Sequence, residues 1–148
     1  GIVSSPFDEK PAITVSKVKE IEDIIVGGNK FLALKKRTVE YKELEQLPMI
    51  CLEHETSTRK YIDEYLLENN VVLKPEFELA TSDMIVQFAI RNLGIGCVVK
   101  NFAMKYLKTG ELFELKLTKK IPKRHICTIM STKNQVSKAT KIVLDMMD

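Results

Sequence analysis

The middle of the chain alternates apolar runs of strand length with stretches of helical periodicity. The apolar runs cover residues 48–52, 71–79 and 95–100. Between them, in segments 56–69 and 81–94, apolar residues recur on one helical face. Strand, helix, strand, helix, strand at this spacing predicts right-handed crossovers and a parallel sheet. The sequence therefore predicts an α/β protein.

Both predicted helices begin with hydroxyl-bearing residues directly after a strand. These residues are Thr56, Ser57 and Thr58 in the first helix, and Thr81 and Ser82 with Asp83 in the second. Free backbone N–H groups and the positive end of the helix dipole favour an anion at such a start. Ligands bind at the carboxyl edge of open α/β sheets, so we expect both starts to face an anionic ligand there. Ordinary N-capping is the alternative.

Three other features near these starts have alternative interpretations. Arg59 could add a charged contact to a ligand, or it could stay solvated or pair with Asp63 at i+4. The run Glu53-His54-Glu55 contains acid and base groups, but neighbours on an extended segment point to opposite faces, which indicates a surface loop. Asn69-Asn70 should end the first helix, and Gly94 should provide a left-handed C-cap for the second.

The flanking regions are predicted in less detail. We expect a short helix over 101–107, strands over 112–117 and 124–129, and a closing amphipathic helix that buries Val136, Ala139, Ile142, Val143 and Met146. Apolar segments 21–26 and 31–35 flank Gly27-Gly28-Asn29. That pattern fits either a hairpin or a strand that leaves through a loop.

Composition excludes several classes of protein. The 148 residues, 45% hydrophobic and 29% charged, suffice for one ordinary domain or two small lobes. No apolar run approaches the roughly 20 residues of a membrane span, and no signal peptide is visible, so we expect a cytoplasmic protein with no membrane partner. Cys51, Cys97 and Cys127 lie in apolar runs, which favours buried, reduced thiols over a metal site.

Enzyme signatures are missing from the sequence. There is no GxSxG, GxxxxGK[ST] or HExxH motif, and Gly94-Ile95-Gly96 lacks the third glycine of a dinucleotide fingerprint. We therefore expect no catalysis and no cofactor. Residues 101–148 carry 10 basic and 4 acidic side chains. The run Lys116, Lys119, Lys120, Lys123, Arg124 has no interleaved aromatic residues, which favours a solvated hairpin over a nucleic-acid contact.

Three segments together resemble the effector-binding domain of LysR-type transcriptional regulators. They are 48–63 (PMICLEHETSTRKYID), 80–86 (ATSDMIV) and 91–99 (RNLGIGCVV), and the opening Gly1-Ile2-Val3 resembles a first-lobe strand. The resemblance implies two α/β lobes of the type 2 periplasmic-binding-protein fold, with a small effector between them. It places lobe I at 1–24 and 125–148, lobe II at 25–124, and the crossovers near 21–26 and 124–129.

The resemblance also implies which residues bind the effector. Thr56 matches the family's Ser/Thr cap, Thr58 and Arg59 match its Thr-Arg pair, and Ser57 replaces a frequent glycine. Thr81, Ser82 and Asp83 fall on the second cap. Ser4 and Ser5 follow the first-lobe strand that faces the cleft. This set partly coincides with the residues that capping chemistry selects.

The sequence departs from the family pattern at its front. The winged helix-turn-helix, the linker helix and the first elements of lobe I are absent, so the resemblance implies an incomplete first lobe and DNA contact only through a domain outside this chain. An unpaired strand beginning at Gly1 predicts a homo-oligomer. We expect a ligand-sensing domain that regulates transcription. A transport-type solute-binding module and an enzyme on the same fold, with Asp83 as its acid or base, are the alternatives.

Overall fold

The computed structural model describes the backbone of residues 13–131 and 139–144 and the side chains of residues 18–127. The chain divides into two compact units. One comprises Gly1–Ile21 and Lys123–Asp148, and the other comprises Glu22–Pro122. Their equivalence to lobes I and II stays a prediction. Ser4, Ser5 and the strand expected at Gly1 lie outside the described residues.

The elements follow the predicted alternation through the middle of the chain. The strands are β1 (Ile13–Ile21), β2 (Asp23–Gly27), β3 (Thr38–Val39), β4 (Met49–Leu52), β5 (Phe77–Leu79), β6 (Ile95–Val99), β7 (Phe113–Glu114), β8 (Lys116–Leu117), β9 (Arg124–Ser131) and β10 (Ala139–Leu144). The α-helices are α1 (Ser57–Glu68), α2 (Ser82–Ile90) and α3 (Lys100–Thr109), and 3₁₀ helices cover Asn29–Lys36 and Tyr41–Gln46.

A five-stranded sheet with the order β5-β4-β6-β2-β7 forms the centre of the larger unit. Strands β5, β4 and β6 are parallel, as the crossovers predict. Strand β2, which lies outside the segment for which a parallel sheet was expected, is antiparallel to both β6 and β7, so the sheet as a whole is mixed. The antiparallel strand comes from the segment before residue 48, whose pairing partner is about seventy residues away in sequence and leaves no local pattern.

Helices cover both faces of this sheet. Alternate residues of β4 enter different cores: Met49 and Cys51 pack with α1, whereas Ile50 and Leu52 pack with α2 and α3. A strand that is buried on both faces has a continuous run of apolar residues in its sequence. For this reason segments 48–52 and 95–100 were recognisable as strands. Cys51 and Cys97 are buried free thiols in strands, as expected, and Cys127 lies half-buried in β9.

The described part of the smaller unit contains an antiparallel sheet with the order β1-β9-β10. The predicted closing helix is wrong, because Ala139–Leu144 forms β10 and pairs with β9. This segment contains the β-branched residues Thr140, Ile142 and Val143, which favour a strand over a helix. Val136 and Met146 lie outside the described residues.

Two turns differ from the sequence predictions. Helix α2 ends at Ile90 rather than Gly94, and Asn92 takes the left-handed conformation with φ 63°. Gly94 is needed for space, since a Cβ there would lie 2.4 Å from the carbonyl oxygen of Pro48. After β2 the chain enters the 3₁₀ helix Asn29–Lys36, so the hairpin alternative is wrong and the strand leaves through a loop.

Two predicted strand segments are shorter or divided, and one predicted pairing differs. Within 71–79 only Phe77–Leu79 is a strand, although Val71 and Leu73 are buried. The run 112–117 divides into β7, which pairs with β2, and β8, which pairs with β3. The expected lysine hairpin is wrong, because β9 pairs with β1 and β10 and not with β8. Lys116, Lys119, Lys120 and Lys123 are exposed, whereas Arg124 is buried.

Candidate functional site

The starts of α1 and α2 lie at one edge of the five-stranded sheet. Strands β4 and β5 are parallel neighbours with Leu52 opposite Leu79, and Glu53 N–H donates to the carbonyl oxygen of Leu79 at 3.0 Å. Each helix begins within five residues of its strand. Because the carboxyl ends of parallel neighbours share an edge, the two helix starts share it as well, which confirms their predicted placement.

Thr56 is the N-cap of α1, and its hydroxyl group makes two hydrogen bonds. It accepts from the backbone N–H of Arg59 at 3.1 Å and donates to the carbonyl oxygen of Glu53 at 2.9 Å. Ser57 is exposed in the first turn and Thr58 is half-buried. The capping interpretation of Thr56 is therefore confirmed, and its hydroxyl proton already has an acceptor in the protein.

Arg59 ties the start of α1 to the sheet rather than pointing into solvent. It is 7% exposed. Its Nε lies 3.0–3.1 Å from both carboxylate oxygens of Asp63, and one terminal nitrogen donates to the carbonyl oxygen of Leu52 at 2.8 Å and to Glu78 at 2.9 Å. The i+4 pairing with Asp63 is thus confirmed and the solvated alternative is wrong. Two carboxylates and a strand carbonyl hold this guanidinium.

The charges of this network shift two pKa values in opposite directions. Burial alone would lower the pKa of Arg59, but the hydrogen bonds to Glu78 and Asp63 raise it above its ordinary value. The same hydrogen bond from Arg59 lowers the pKa of the Glu78 carboxyl below its usual range. Both groups therefore stay charged near neutral pH.

Thr81 is the N-cap of α2, and its side chain accepts from the backbone N–H of Met84 at 3.2 Å. Ser82 follows it and is 8% exposed, although no described residue hydrogen-bonds its side chain. Asp83 is exposed in the first turn of the helix. The start of α2 thus presents a capping hydroxyl group, a second hydroxyl group without a described partner, and a carboxylate.

Side-chain charge at this edge of the sheet is mainly acidic. Exposed or half-exposed carboxylates belong to Glu53, Glu55, Asp63, Glu78 and Asp83, whereas Arg59 is held by Asp63 and Glu78. His54 and Glu55 lie in the expected surface loop, with side chains 74% and 67% exposed. An anion at this edge would be held by backbone N–H groups and hydroxyl groups rather than by a lysine or arginine.

A third helix starts at the same edge; the sequence analysis predicted this helix but did not include its start in the candidate site. Helix α3 begins directly after β6, and the backbone N–H of Lys100 donates to the carbonyl oxygen of Glu22 at 2.8 Å. Lys100 Nζ lies 3.8 Å from Glu22 and 3.6 Å from Glu114. The start of α3 has no side-chain cap. Glu22 directly precedes β2 and Glu114 lies in β7, so both are distant from Lys100 in sequence and no local pattern predicts the cluster.

The described side chains offer no place for a metal ion, since within residues 18–127 no group of three histidine, cysteine or acidic residues is suitably arranged. Among residues 13–131 and 139–144, no helix combines the length and apolar character that a bilayer crossing requires.

Comparison with known families assigns the chain. The family model of the LysR substrate binding domain matches residues 1–148. The chain belongs to this family. LysR substrate-binding domains are the small-molecule effector-binding parts of transcription regulators, and these regulators bind DNA through a separate domain. The predicted α/β, periplasmic-binding-protein-like fold class is thereby confirmed. No curated protein matches the chain.

Solved structures of LysR regulators share the fold of this LysR domain. The CcmR regulatory domain of Synechocystis, in complex with 2-PG, is 18% identical with a TM-score of 0.68, and the match covers 91% of this chain and 64% of that one. The effector-binding domain of QuiR, in complex with shikimate, is 18% identical with a TM-score of 0.65, and coverage is 90% and 62%. The apo regulatory domain of HypT from Salmonella typhimurium is 15% identical with a TM-score of 0.63, with coverage of 85% and 59%. The chain thus spans less than two thirds of these structures.

Proposed function

We propose that this LysR domain senses a small anionic effector at the sheet edge where α1 and α2 begin. Two neighbouring parallel strands bring the two capped helix starts together, and this single arrangement carries the proposal. The residues of the proposed site at this edge are Thr56, Ser57, Thr58, Arg59, Thr81, Ser82 and Asp83, and Ser4 and Ser5 are proposed to contribute from the other lobe. The complexes of CcmR with 2-PG and of QuiR with shikimate support a small molecule as the effector.

The residues of the proposed site divide into ligands and supports. Backbone N–H groups in the first turn of a helix lack intrahelical partners and can donate to an anion. Ser82 adds a hydroxyl group without a partner among the described residues. Arg59 holds Glu78 and Asp63, so its contribution is to position the first turn of α1. The surrounding carboxylates favour an effector whose acid group is small and whose remaining groups can donate hydrogen bonds.

The same proposal covers the parent regulator. An effector that contacts both lobes would favour the lobe arrangement in which those contacts coexist, and this population shift would reach the DNA-binding domains. We propose a cytoplasmic homo-oligomer that contacts DNA through a winged helix-turn-helix domain, and no catalytic role for this domain. The family's regulators support this assignment.

A thermal-shift screen with sulfate, phosphate and small carboxylates tests the anion site. A ligand at about 100 times its dissociation constant stabilises the folded chain by roughly 2.7 kcal/mol, which is readily measured. Thr81→Ala should weaken the response, because the amide groups of the first turn lose their fixed geometry. Thr118→Ala, an exposed threonine distant in sequence from both helix starts, is the matched control. Stabilisation by cations alone, or an equal response from both variants, would contradict the proposal.

A further inference from the structure

A gap opens in the larger unit beside the first residues of β2. Strand β7 pairs with β2 at Val26 and Glu114, and Leu115 N–H donates to the carbonyl oxygen of Ile25 at 2.8 Å. The chain then leaves β2, because β8 pairs with β3 instead. The separation of these two segments creates a cavity of about 250 Å³.

Hydrogen bonds from two tyrosines fix the outer wall of this cavity. The hydroxyl group of Tyr41 donates to the carbonyl oxygen of Lys119, and that of Tyr61 donates to the carbonyl oxygen of Pro122. Ile121, between these anchors, is 4% exposed and belongs to the core. These two hydrogen bonds and the burial of Ile121 hold residues 119–122 in place beside the cavity.

The cavity combines an apolar floor with charges of both signs. The apolar lining residues are Ile24, Ile25, Leu115, Leu117 and Ile121. The acidic lining residues are Glu22, Asp23 and Glu114, and the basic ones are Lys116 and Lys120. A purely apolar ligand would make no charge-assisted contact with these side chains, and a simple anion or cation would match one sign only.

The acidic side of the cavity has remaining capacity for a cation. Glu22 and Glu114 share the ammonium group of Lys100 at 3.8 Å and 3.6 Å. Both distances exceed the 2.7–2.9 Å that is typical of a charge-assisted hydrogen bond. Their side chains are 22% and 33% exposed. A second ammonium group could therefore donate to these carboxylates at closer range than Lys100 does.

We propose that this cavity binds a small zwitterion with an aliphatic side chain, of the branched-chain α-amino-acid class. The ammonium group of the ligand donates to Glu22 and Glu114, its carboxylate accepts from Lys116 and Lys120, and its aliphatic part covers Ile24 and Leu117. Glu22 and Glu114 lie at the same sheet edge as the proposed anion site, but no residue that lines the cavity belongs to the start of α1 or α2, so the proposal adds a second ligand to the anion of the proposed function.

Calorimetric titration of the full chain with three probes tests the proposal. Leucine carries both charges, isoamylamine lacks the carboxylate, and 4-methylpentanoate lacks the amine. We expect leucine to bind about tenfold more tightly than either single-charge probe, since each lost charge removes charge-assisted hydrogen bonds. Backbone amide resonances that shift with leucine should belong to residues 22–25 and 114–121. Comparable affinity for 4-methylpentanoate, or no binding of leucine at millimolar concentration, would overturn the proposal.

Two variants with a matched control locate the binding. Glu114→Gln and Lys120→Ala should each weaken leucine binding about tenfold, because each removes one charged partner from the cavity. Lys105→Ala removes an exposed lysine of α3 that does not line the cavity, so leucine affinity should not change. Leucine binding that survives both cavity variants would also overturn the proposal. Thr81→Ala should leave leucine affinity unchanged, which separates this site from the proposed anion site.

Discussion

The starts of α1 and α2 share a sheet edge and a threonine cap but differ in what surrounds them. At α1, the buried guanidinium of Arg59 joins the helix to two carboxylates and to the carbonyl oxygen of Leu52. At α2, the residue after the cap is Ser82, which is 8% exposed and whose hydroxyl group has no partner among the described residues. Contacts within the protein occupy the Arg59 side chain at the start of α1, whereas the start of α2 retains a hydroxyl group that is available to a ligand.

The difference shows that a helix cap depends on residues close in sequence, whereas a binding site also depends on residues distant in sequence. The cap depends on a hydroxyl residue and the three residues that follow it, which are local in sequence. The surroundings depend on which strand lies beside the helix, and Glu78 reaches Arg59 from β5 across 19 residues. Stability should therefore be more sensitive to changes at the start of α1, and ligand affinity to changes at the start of α2.

The largest expected effect on stability comes from Arg59→Ala. Removal of the guanidinium leaves the carbonyl oxygen of Leu52 without its donor and places Asp63 and Glu78 beside each other without a cation. We expect a loss of roughly 2–3 kcal/mol in the free energy of unfolding, below the range for fully buried pairs because both carboxylates are partly exposed. Urea denaturation measures it.

Arg91→Ala provides the matched control for this variant. Arg91 is exposed at the end of α2 and hydrogen-bonds only Gln87 among the described residues. Its removal should change the free energy of unfolding by less than about 0.5 kcal/mol. If the two arginine variants unfolded at the same urea concentration, the contrast between the helix starts would be wrong.

The two caps should differ by a smaller amount. The Thr56 hydroxyl accepts one hydrogen bond and donates another, whereas the Thr81 side chain makes one. We expect Thr56→Ala to cost about 1.5 kcal/mol and Thr81→Ala about 1 kcal/mol, both within the range for N-caps. Denaturation of both variants beside Thr56→Ser and Thr81→Ser measures the difference, and serine should restore most of the stability at each position. A larger loss at Thr81 would reverse the comparison.

Sequence patterns predicted the parallel half of the sheet because its signals are local. Hydroxyl caps, helical periodicity and continuous apolar runs placed β4, α1, β5, α2 and β6 in order. The same reasoning failed at Ala139–Leu144, where apolar spacing fitted a helix but pairing with β9 produces a strand. It also could not place β2 against β6, since that pairing joins residues far apart in the chain.

The sequence analysis identified the capping residues of the candidate site but not the residues around them. Thr56 and Thr81 were recognisable from composition at the helix starts. The second carboxylate on Arg59 was not, because Glu78 lies on another strand. The cluster of Lys100, Glu22 and Glu114 was missed for the same reason, as three separate elements bring it together.

The smallest expected effect on stability, that of Ser82→Ala, gives the sharpest test of the difference between the helix starts. The variant keeps the Thr81 cap and removes a hydroxyl group that has no partner among the described residues, so the free energy of unfolding should change by less than about 0.5 kcal/mol. Affinity for an anion, by contrast, should fall several-fold, because one donor at the start of α2 is lost. Denaturation and sulfate titration of the same preparation measure the two quantities, with Thr118→Ala, distant in sequence from both helix starts, as the control. If Ser82→Ala lowered stability by as much as a lost cap and left sulfate affinity unchanged, Ser82 would be a structural residue, and the start of α2 would be no more open to a ligand than that of α1.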